Sequence, residues 1–221
     1  MSAAHHLFWI TSRAAGATAL LLVSASVTLG LLTGSSRAGV DRRDVRTLHE
    51  AFSLTGLAMV ALHGLSLLGD AYLNPGLAGI AVPFAGPYRP FWTGVGVLAG
   101  YGLAALGLSY YLRNRIGAAR WKRLHRLTAV FWLAAIGHTL GAGTDAGEGW
   151  FLLLSGAFVV PAAALLALRH LSRAASRAGR KPDAALRPPV PEPHARPLAG
   201  AGIERADRRD PDRPAEQLRE H

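Results

Sequence analysis

Four histidines inside apolar stretches are the residues of this sequence that could do chemistry. His49 and His63 lie 14 residues apart in RTLHEAFSLTGLAMVALHG, and a second pair lies in RWKRLHRLTAVFWLAAIGHT. That second pair, His125 and His138, is 13 residues apart. A histidine in an apolar membrane segment is costly and is usually functional. Two neutral imidazoles that face each other could hold a metal ion, a proton or a haem iron.

The segments that carry these histidines predict an all-α integral membrane protein. Half of the 221 residues are apolar and 17% are charged. The uncharged residues form runs of roughly 20, the length that a helix needs to cross a bilayer. The first run could be a signal peptide, but its length favours an uncleaved helix. We predict a bundle of about five transmembrane helices, at residues 11–33, 45–69, 90–113, 120–141 and 150–172.

The remaining segments predict a loop and a tail. Residues 71–88 contain Pro75, Pro83 and Pro87, which interrupt helices, so we expect a loop that could carry a short interfacial or re-entrant piece. Residues 1–172 then form the membrane domain. Residues 173–221 are rich in Pro and Arg, lack the apolar pattern of a core, and predict a disordered cytoplasmic tail.

The net charge of +10 does not predict binding to nucleic acid, because the basic residues of the membrane domain lie at alternate helix ends. They concentrate at residues 37–46, at residues 113–126 and at Arg169. Basic helix ends face the cytoplasm in most membrane proteins. We therefore expect a multi-pass protein in contact with lipid, with its N-terminus outside and its C-terminus in the cytoplasm.

The predicted topology matches the histidines in depth. The second and fourth helices run in the same direction, so His49 lies at the depth of His125. By the same argument, His63 lies at the depth of His138. Spacings of 14 and 13 residues correspond to roughly 21 and 20 Å along a helix. The directions of the side chains are harder to match. Fourteen residues of an ideal α-helix bring a side chain back to within about 40° of its starting direction, whereas thirteen leave it about 140° away. Helix curvature, a local distortion near Gly137 or different ring tilts would be required to aim both histidines at one side.

A porphyrin iron fits these two levels better than zinc does. Zinc usually takes three or four protein ligands, and no carboxylate or thiolate is expected at either depth. The chain has no cysteine, which excludes disulfides and covalently attached c-type haem. Haem needs two axial ligands and an apolar slot, and Gly56, Gly64 and Gly137 would let it approach the backbone closely.

Two other functions stay open at this point. The protein could be a non-redox transporter or proton path that uses the histidines as titratable groups. It could also be an accessory membrane subunit that holds a partner through its tail.

The stretch RIGAARWKRLHRL, residues 115–127, and the two histidine spacings resemble the ferric reductase-like transmembrane domain. Ferric reductases, NADPH oxidases and the haem-binding subunit of the periplasmic methionine sulfoxide reductase system share this domain. The stretches VPFAGPYRPFW and HTLGAGTD are similar to outer-loop segments of bacterial members. The resemblance covers about residues 10–172.

The resemblance implies an electron-transfer protein of a bacterial plasma membrane with two b-type haems. His49 and His125 would ligate the inner haem iron. His63 and His138 would ligate the outer haem iron. Electrons would pass from a flavin on the cytoplasmic side to an extracytoplasmic acceptor.

This sequence departs from the oxidase and reductase members of the family. It has five predicted helices where six are usual, and it has no fused flavin and nicotinamide domain. We therefore expect a separate flavoprotein or a quinone as the electron donor. The protein would then be an oxidoreductase component, similar to a cytochrome b, and no catalytic residue is assigned to it.

Four arginines are candidates for contacts with haem propionates, which are anionic. Arg46, Arg123 and Arg126 flank the inner histidines, and Arg89 lies beside Tyr88 in an outer loop. For the three inner arginines, membrane topology and contact with lipid headgroups is the competing interpretation.

Overall fold

The computed structural model describes residues 3–33, 41–70 and 73–178. These residues form helices and short connections, so the predicted all-α class is confirmed for this part of the chain. They belong to one compact unit, Met1–Gly179. Residues 179–221, which make up most of the predicted tail, lie outside the described residues.

Eight α-helices follow one another in the described part of the chain. Two short 3-10 turns, Leu67–Gly69 and Ser109–Leu112, extend the second and fourth of them. The helices are α1 Ala3–Leu32, α2 Arg42–Ser66, α3 Gly76–Ala81, α4 Pro90–Leu108, α5 Arg113–Ile116, α6 Ala118–His125, α7 Thr128–Ala142 and α8 Gly149–Ala178.

The long helices agree with four of the five predicted transmembrane helices and identify a multi-pass membrane protein. α1 begins eight residues earlier than predicted, at Ala3. α8 continues through residues 173–178, which the sequence analysis assigned to the tail. α3 lies within the predicted loop at 71–88. The helices of the described residues that are long and apolar enough to cross a membrane are His6–Leu32, Arg42–Gly69, Pro90–Ile116 and Gly149–Ser176.

The prediction of a single fourth helix at 120–141 is wrong. A turn at Arg126 and Leu127 divides this segment into α6 and α7. The backbone there makes i→i−3 hydrogen bonds of the 3-10 type, including Leu127 N to Leu124 O at 2.9 Å and Val130 N to Leu127 O at 2.9 Å. The 15 residues of α7 span only about 22 Å, which is less than the apolar thickness of a bilayer. Residues 118–136 contain neither Gly nor Pro, so side-chain contacts rather than helix-breaking residues must cause the turn.

The bundle is built from closely packed helix pairs. α1 packs along α2, α4 packs along α7, and α8 packs against α1. The centre is Trp132 of α7, which is fully buried. It belongs to a cluster with one buried residue from each of three other helices: Val23, Leu103 and Ala162. Its indole Nε1 donates to Ser24 Oγ at 3.0 Å, so the buried N–H has a partner.

The outer surface of the bundle carries large apolar side chains. Leu98 of α4, Leu133 of α7 and Leu153 of α8 are exposed, Leu153 by 79%. In water such a surface would be unfavourable, whereas lipid chains are as apolar as leucine. The exposed leucines therefore agree with a bundle that lies in a membrane.

Candidate functional site

The four histidines form two pairs at two levels of the bundle. The ring centres of His49 and His125, the inner pair, are 6.3 Å apart with an angle of 87° between the rings. The ring centres of His63 and His138, the outer pair, are also 6.3 Å apart, with an angle of 67°. The structure thus brings together the same histidines that depth matching paired.

α1 holds the two histidines that α2 contributes. His63 Nδ1 lies 2.8 Å from Ser12 O, and His49 Nδ1 lies 2.8 Å from Ser26 O. α1 and α2 run antiparallel, so the 14-residue spacing of the two serines matches that of the two histidines. A carbonyl oxygen can only accept, so Nδ1 of each ring carries the proton.

α4 holds the other two histidines in the same way. His138 Nδ1 lies 2.9 Å from Trp92 O, and His125 Nδ1 lies 3.4 Å from Leu106 O. The two carbonyls are 14 residues apart on α4, whereas the two histidines are 13 residues apart. The segment between the two histidines is therefore one residue shorter than the segment between the two carbonyls, but it must turn the chain through nearly the same angle.

The turn between α6 and α7 supplies part of the missing rotation. Thirteen α-helical residues end about 140° short of four full turns. Each residue in a 3-10 turn rotates the chain by about 20° more than an α-helical residue does. The distortion that the sequence analysis considered is present, but it lies at Arg126 and Leu127 rather than near Gly137.

Contacts on the α6 side hold His125 at this turn. The Trp121 ring stacks on His125, with ring centres 4.9 Å apart. Trp121 Nε1 donates to Ser109 Oγ at 3.1 Å, which ties α6 to the turn after α4. Thr128 Oγ1 donates to the His125 carbonyl, which α7 no longer uses in an i→i−4 bond. These contacts give a physical reason for the break in the helix.

The arrangement leaves Nε2 of each histidine as the nitrogen with a free lone pair. A metal-ligating histidine commonly donates its other N–H to a carbonyl in this way. A metal–nitrogen bond of about 2 Å, and roughly 1.1 Å from each nitrogen to its ring centre, place two ligating rings in line with the metal roughly 6.2 Å apart. Both pairs have that separation. Within the described residues there is no group of three or more His, Cys, Asp or Glu that could hold a bare metal ion. Two imidazoles at each level would therefore suit a haem iron better than zinc.

Three glycines give the imidazoles room against the neighbouring helices. A Cβ on Gly16 would lie 2.9 Å from Nδ1 of His63 in the outer pair, and a Cβ on Gly30 would lie 3.0 Å from Cε1 of His49 in the inner pair. A Cβ on Gly96 would overlap the imidazole of His138. The sequence analysis missed these glycines. A signal was present for two of them, because Gly16 and Gly30 have the same 14-residue spacing as the serines and the histidines that they contact.

A cavity of about 600 Å³ adjoins the outer pair. Its walls come from α1, α2, α3, α4, α7 and the start of α8 and are mostly apolar, and its polar groups include Arg13, Tyr88 and Asp145. The volume is in the range of cofactor and ligand sites, roughly 300 to 1,000 Å³. Arg13 was not among the predicted site residues, and it brings a cation to the cavity at the outer pair.

The predicted propionate contacts lie at the ends of the helices. Arg89 Nη1 donates to the Gly141 carbonyl at 2.6 Å, at the end of α7. Arg46 donates to a tyrosine hydroxyl in the turn after α4 at 3.4 Å. Arg123 and Arg126 are exposed near the end of α6. A role of these four arginines toward a haem propionate stays a prediction.

Comparison with known families identifies this arrangement. The family described as Ferric reductase like transmembrane component matches residues 15–136, more than half of the chain. The match includes three of the four histidines and ends two residues before His138. No curated protein and no solved structure gives a significant match. Family, helical bundle and histidine pairs agree, and the chain belongs to the ferric reductase-like transmembrane component family.

Proposed function

We propose that this protein carries electrons across a membrane through two b-type haems, one held by each histidine pair. Membership in the family indicates membrane electron transfer. The observation that carries the haem proposal is the equal 6.3 Å separation of the two imidazole pairs. In this proposal His49 and His125 ligate the inner haem. His63 and His138 ligate the outer haem.

The residues around the pairs fit this cofactor. The four Nδ1 atoms are hydrogen-bonded to backbone carbonyls of α1 and α4, which fixes each ring and leaves Nε2 as the ligand. The mostly apolar walls of the outer cavity suit the apolar faces of a porphyrin. A bound haem supplies one-electron chemistry at its iron. The protein's contribution is the orientation of the rings and the apolar surroundings of the outer pair.

The two levels suit a path through the membrane. Along α2 the histidines are 14 residues apart, which corresponds to roughly 21 Å. The apolar core of a bilayer is about 30 Å thick, so two cofactors at this spacing cover most of it. Electrons would enter near one face of the membrane and leave near the other.

We further propose that the inner pair faces the cytoplasm of a bacterial cell. Exposed basic residues at the α5–α6 end support this orientation, because basic helix ends stay on the cytoplasmic side. The loop between α7 and α8, next to the outer pair, carries Asp145 and Glu148 instead. The donor would be a separate flavoprotein or a quinone at the inner pair, and the acceptor would be extracytoplasmic.

A reduced-minus-oxidised spectrum of the purified full chain tests the proposal. We expect a low-spin b-type spectrum with nearly two haems per chain. His63→Ala or His138→Ala should remove the outer haem and leave the inner one. His49→Ala or His125→Ala should do the reverse. The control is His170→Ala, at an exposed position on α8, which should keep both haems.

Two results would contradict the proposal. If all four alanine variants kept a complete spectrum, the ligand assignment would be wrong. If a correctly folded preparation bound no haem when haem was supplied during expression, electron transfer through haem would be excluded. If both haems are present, the donor can be identified by mixing the oxidised protein without oxygen with a reduced flavoprotein or with a quinol. The donor is the one that reduces the inner haem at a rate that depends on its concentration.

A further inference from the structure

The hydroxyl groups of two serines on α1 contact the histidines of α2. Ser12 Oγ lies 3.1 Å from His63 Nδ1. Ser26 Oγ lies 3.0 Å from His49 Nδ1. In each serine the hydroxyl and the backbone carbonyl both contact Nδ1 of the same histidine, so each serine contacts one histidine pair. Both serines are almost fully buried, with 3% and 5% of their surface exposed.

The protons of these groups can be assigned from their partners. Nδ1 of each histidine donates, because a carbonyl oxygen accepts from it at 2.8 Å. At the outer pair the Ser12 hydroxyl donates its own proton to the His63 carbonyl at 3.2 Å. Its oxygen is then free to accept from the imidazole, so the Nδ1–H bond is shared between two acceptors of one serine.

The inner pair has one more hydroxyl in this network. Ser53 Oγ donates to the His49 carbonyl at 2.7 Å, so its only proton is used there. The Ser26 hydroxyl lies 2.6 Å from Ser53 Oγ and 3.4 Å from the His49 carbonyl, so the nearer Ser53 oxygen is the better acceptor for its proton. A hydroxyl that donates becomes a better acceptor for the next group in the chain. Both serine hydroxyls donate, but the bond from Ser26 is shorter, 2.6 Å against 3.2 Å for Ser12, and continues through Ser53, so Ser26 is the stronger partner for its histidine.

An acceptor at Nδ1–H changes the electronic properties of the ligand at Nε2. It increases the basicity of the imidazole, as partners of ligating histidines generally do. A more basic ligand favours oxidised iron over reduced iron and so lowers the reduction potential, because hydrogen bonding around the ligands is one of the protein's means of tuning it.

We propose that Ser12 and Ser26 are positioning residues that set the reduction potentials of the outer and inner haem independently, by accepting a hydrogen bond from the α2 histidine of each pair. The inference rests on the haem binding of the proposed function. α1 supplies no haem ligand, but in this proposal its two serines adjust the reduction potentials of both haems.

A potentiometric titration of the purified full chain, followed by its visible spectrum, tests this role. Ser12→Ala should raise the midpoint potential of the outer haem and leave that of the inner haem unchanged. Ser26→Ala should do the reverse, with the larger shift. We expect shifts of at most about 59 mV. For a one-electron couple this corresponds to a tenfold change in the equilibrium constant between oxidised and reduced haem.

Two further variants separate this role from a loss of packing. Ser24→Ala removes another buried hydroxyl of α1, one that contacts Trp132 rather than a histidine, and should leave both potentials unchanged. Ser26→Cys keeps nearly the same shape but accepts a hydrogen bond more weakly, so it should shift the inner potential by an intermediate amount. The two transitions are assigned with His138→Ala, which is expected to retain only the inner one.

Haem content, measured in the same samples, distinguishes the two proposals. If the wild-type chain binds no haem, both fail. If it binds two haems but Ser12→Ala and Ser26→Ala leave both potentials unchanged, the serine proposal alone is overturned. It is also overturned if either variant shifts both potentials equally, because that result would show a general loosening of the bundle.

Discussion

Arg13 of α1 and Asp145 of the loop between α7 and α8 form an ion pair, although 132 residues separate them in the chain. Arg13 Nε donates to one carboxylate oxygen at 3.0 Å, and Nη2 donates to the other. The same guanidinium lies 4.2 Å from the centre of the Trp9 ring. A cation in an otherwise apolar helix needs such a partner. The pair links α1 to the loop between α7 and α8 at the cavity beside the outer histidines.

Replacement of Asp145 by Asn should destabilise the protein by about 1.5 to 3 kcal/mol, the usual contribution of hydrogen bonds to a charged group. The guanidinium would keep its place in the bundle but lose its counter-ion. The thermal unfolding midpoint in detergent measures the effect. Glu148→Gln, an exposed change in the same loop, is the control and should leave the midpoint unchanged. Equal midpoints for both variants would show that the ion pair contributes nothing.

Replacement of Gly96 by Ala should reduce the occupancy of the outer haem and spare the inner one. The added Cβ would overlap the His138 ring, so that ring would have to move away from its partner. The ratio of haem to protein and the difference spectrum measure this outcome. Gly156→Ala in α8 is the matched control, because a Cβ there meets nothing within 4 Å. It should keep both haems and stabilise the helix by up to about 1 kcal/mol. Two fully retained haems in Gly96→Ala would contradict the position of His138.

Truncation of Trp132 to Ala should lower the free energy of unfolding by about 3 to 5 kcal/mol, because it opens a large cavity at the centre of the bundle. Trp132→Phe keeps most of the volume but loses the hydrogen bond to Ser24, so its smaller effect should be about 1 kcal/mol. Denaturant unfolding in detergent measures both. Trp150→Ala, at a site that is 56% exposed, is expected to have little effect. An effect of Trp132→Ala no larger than that of Trp150→Ala would refute a central packing role.

The proposed orientation predicts which side of the membrane each end of the bundle faces. The chain contains no cysteine, so single-cysteine variants can be labelled without background. A membrane-impermeant maleimide should label Glu148→Cys on intact cells. It should reach Lys122→Cys, in basic α6, only after the membrane is permeabilised, because basic segments stay in the cytoplasm. The opposite labelling pattern would reverse the orientation and the direction of electron flow.

Much of the fold could be predicted from composition, because the length and polarity of a segment are local properties. Four long helices occur where uncharged runs predicted them. The turn between α6 and α7 could not be predicted in this way, since no Gly or Pro marks it. It depends on the contacts of Trp121 with Ser109 and of His125 with Leu106, which exist only after α6 has packed against the end of α4.

The candidate site, like the fold, could be predicted from the sequence only in part. The pairing of the four histidines followed from their spacing and from the alternation of helices across the membrane, so the sequence by itself determined which imidazole meets which. Only the tertiary structure decided where the rings point, which carbonyls of α1 and α4 hold them, and which glycines make room. The physical reason is that depth in a bilayer depends on counting residues along one helix, whereas the direction of a side chain depends on the rotation and contacts of neighbouring helices.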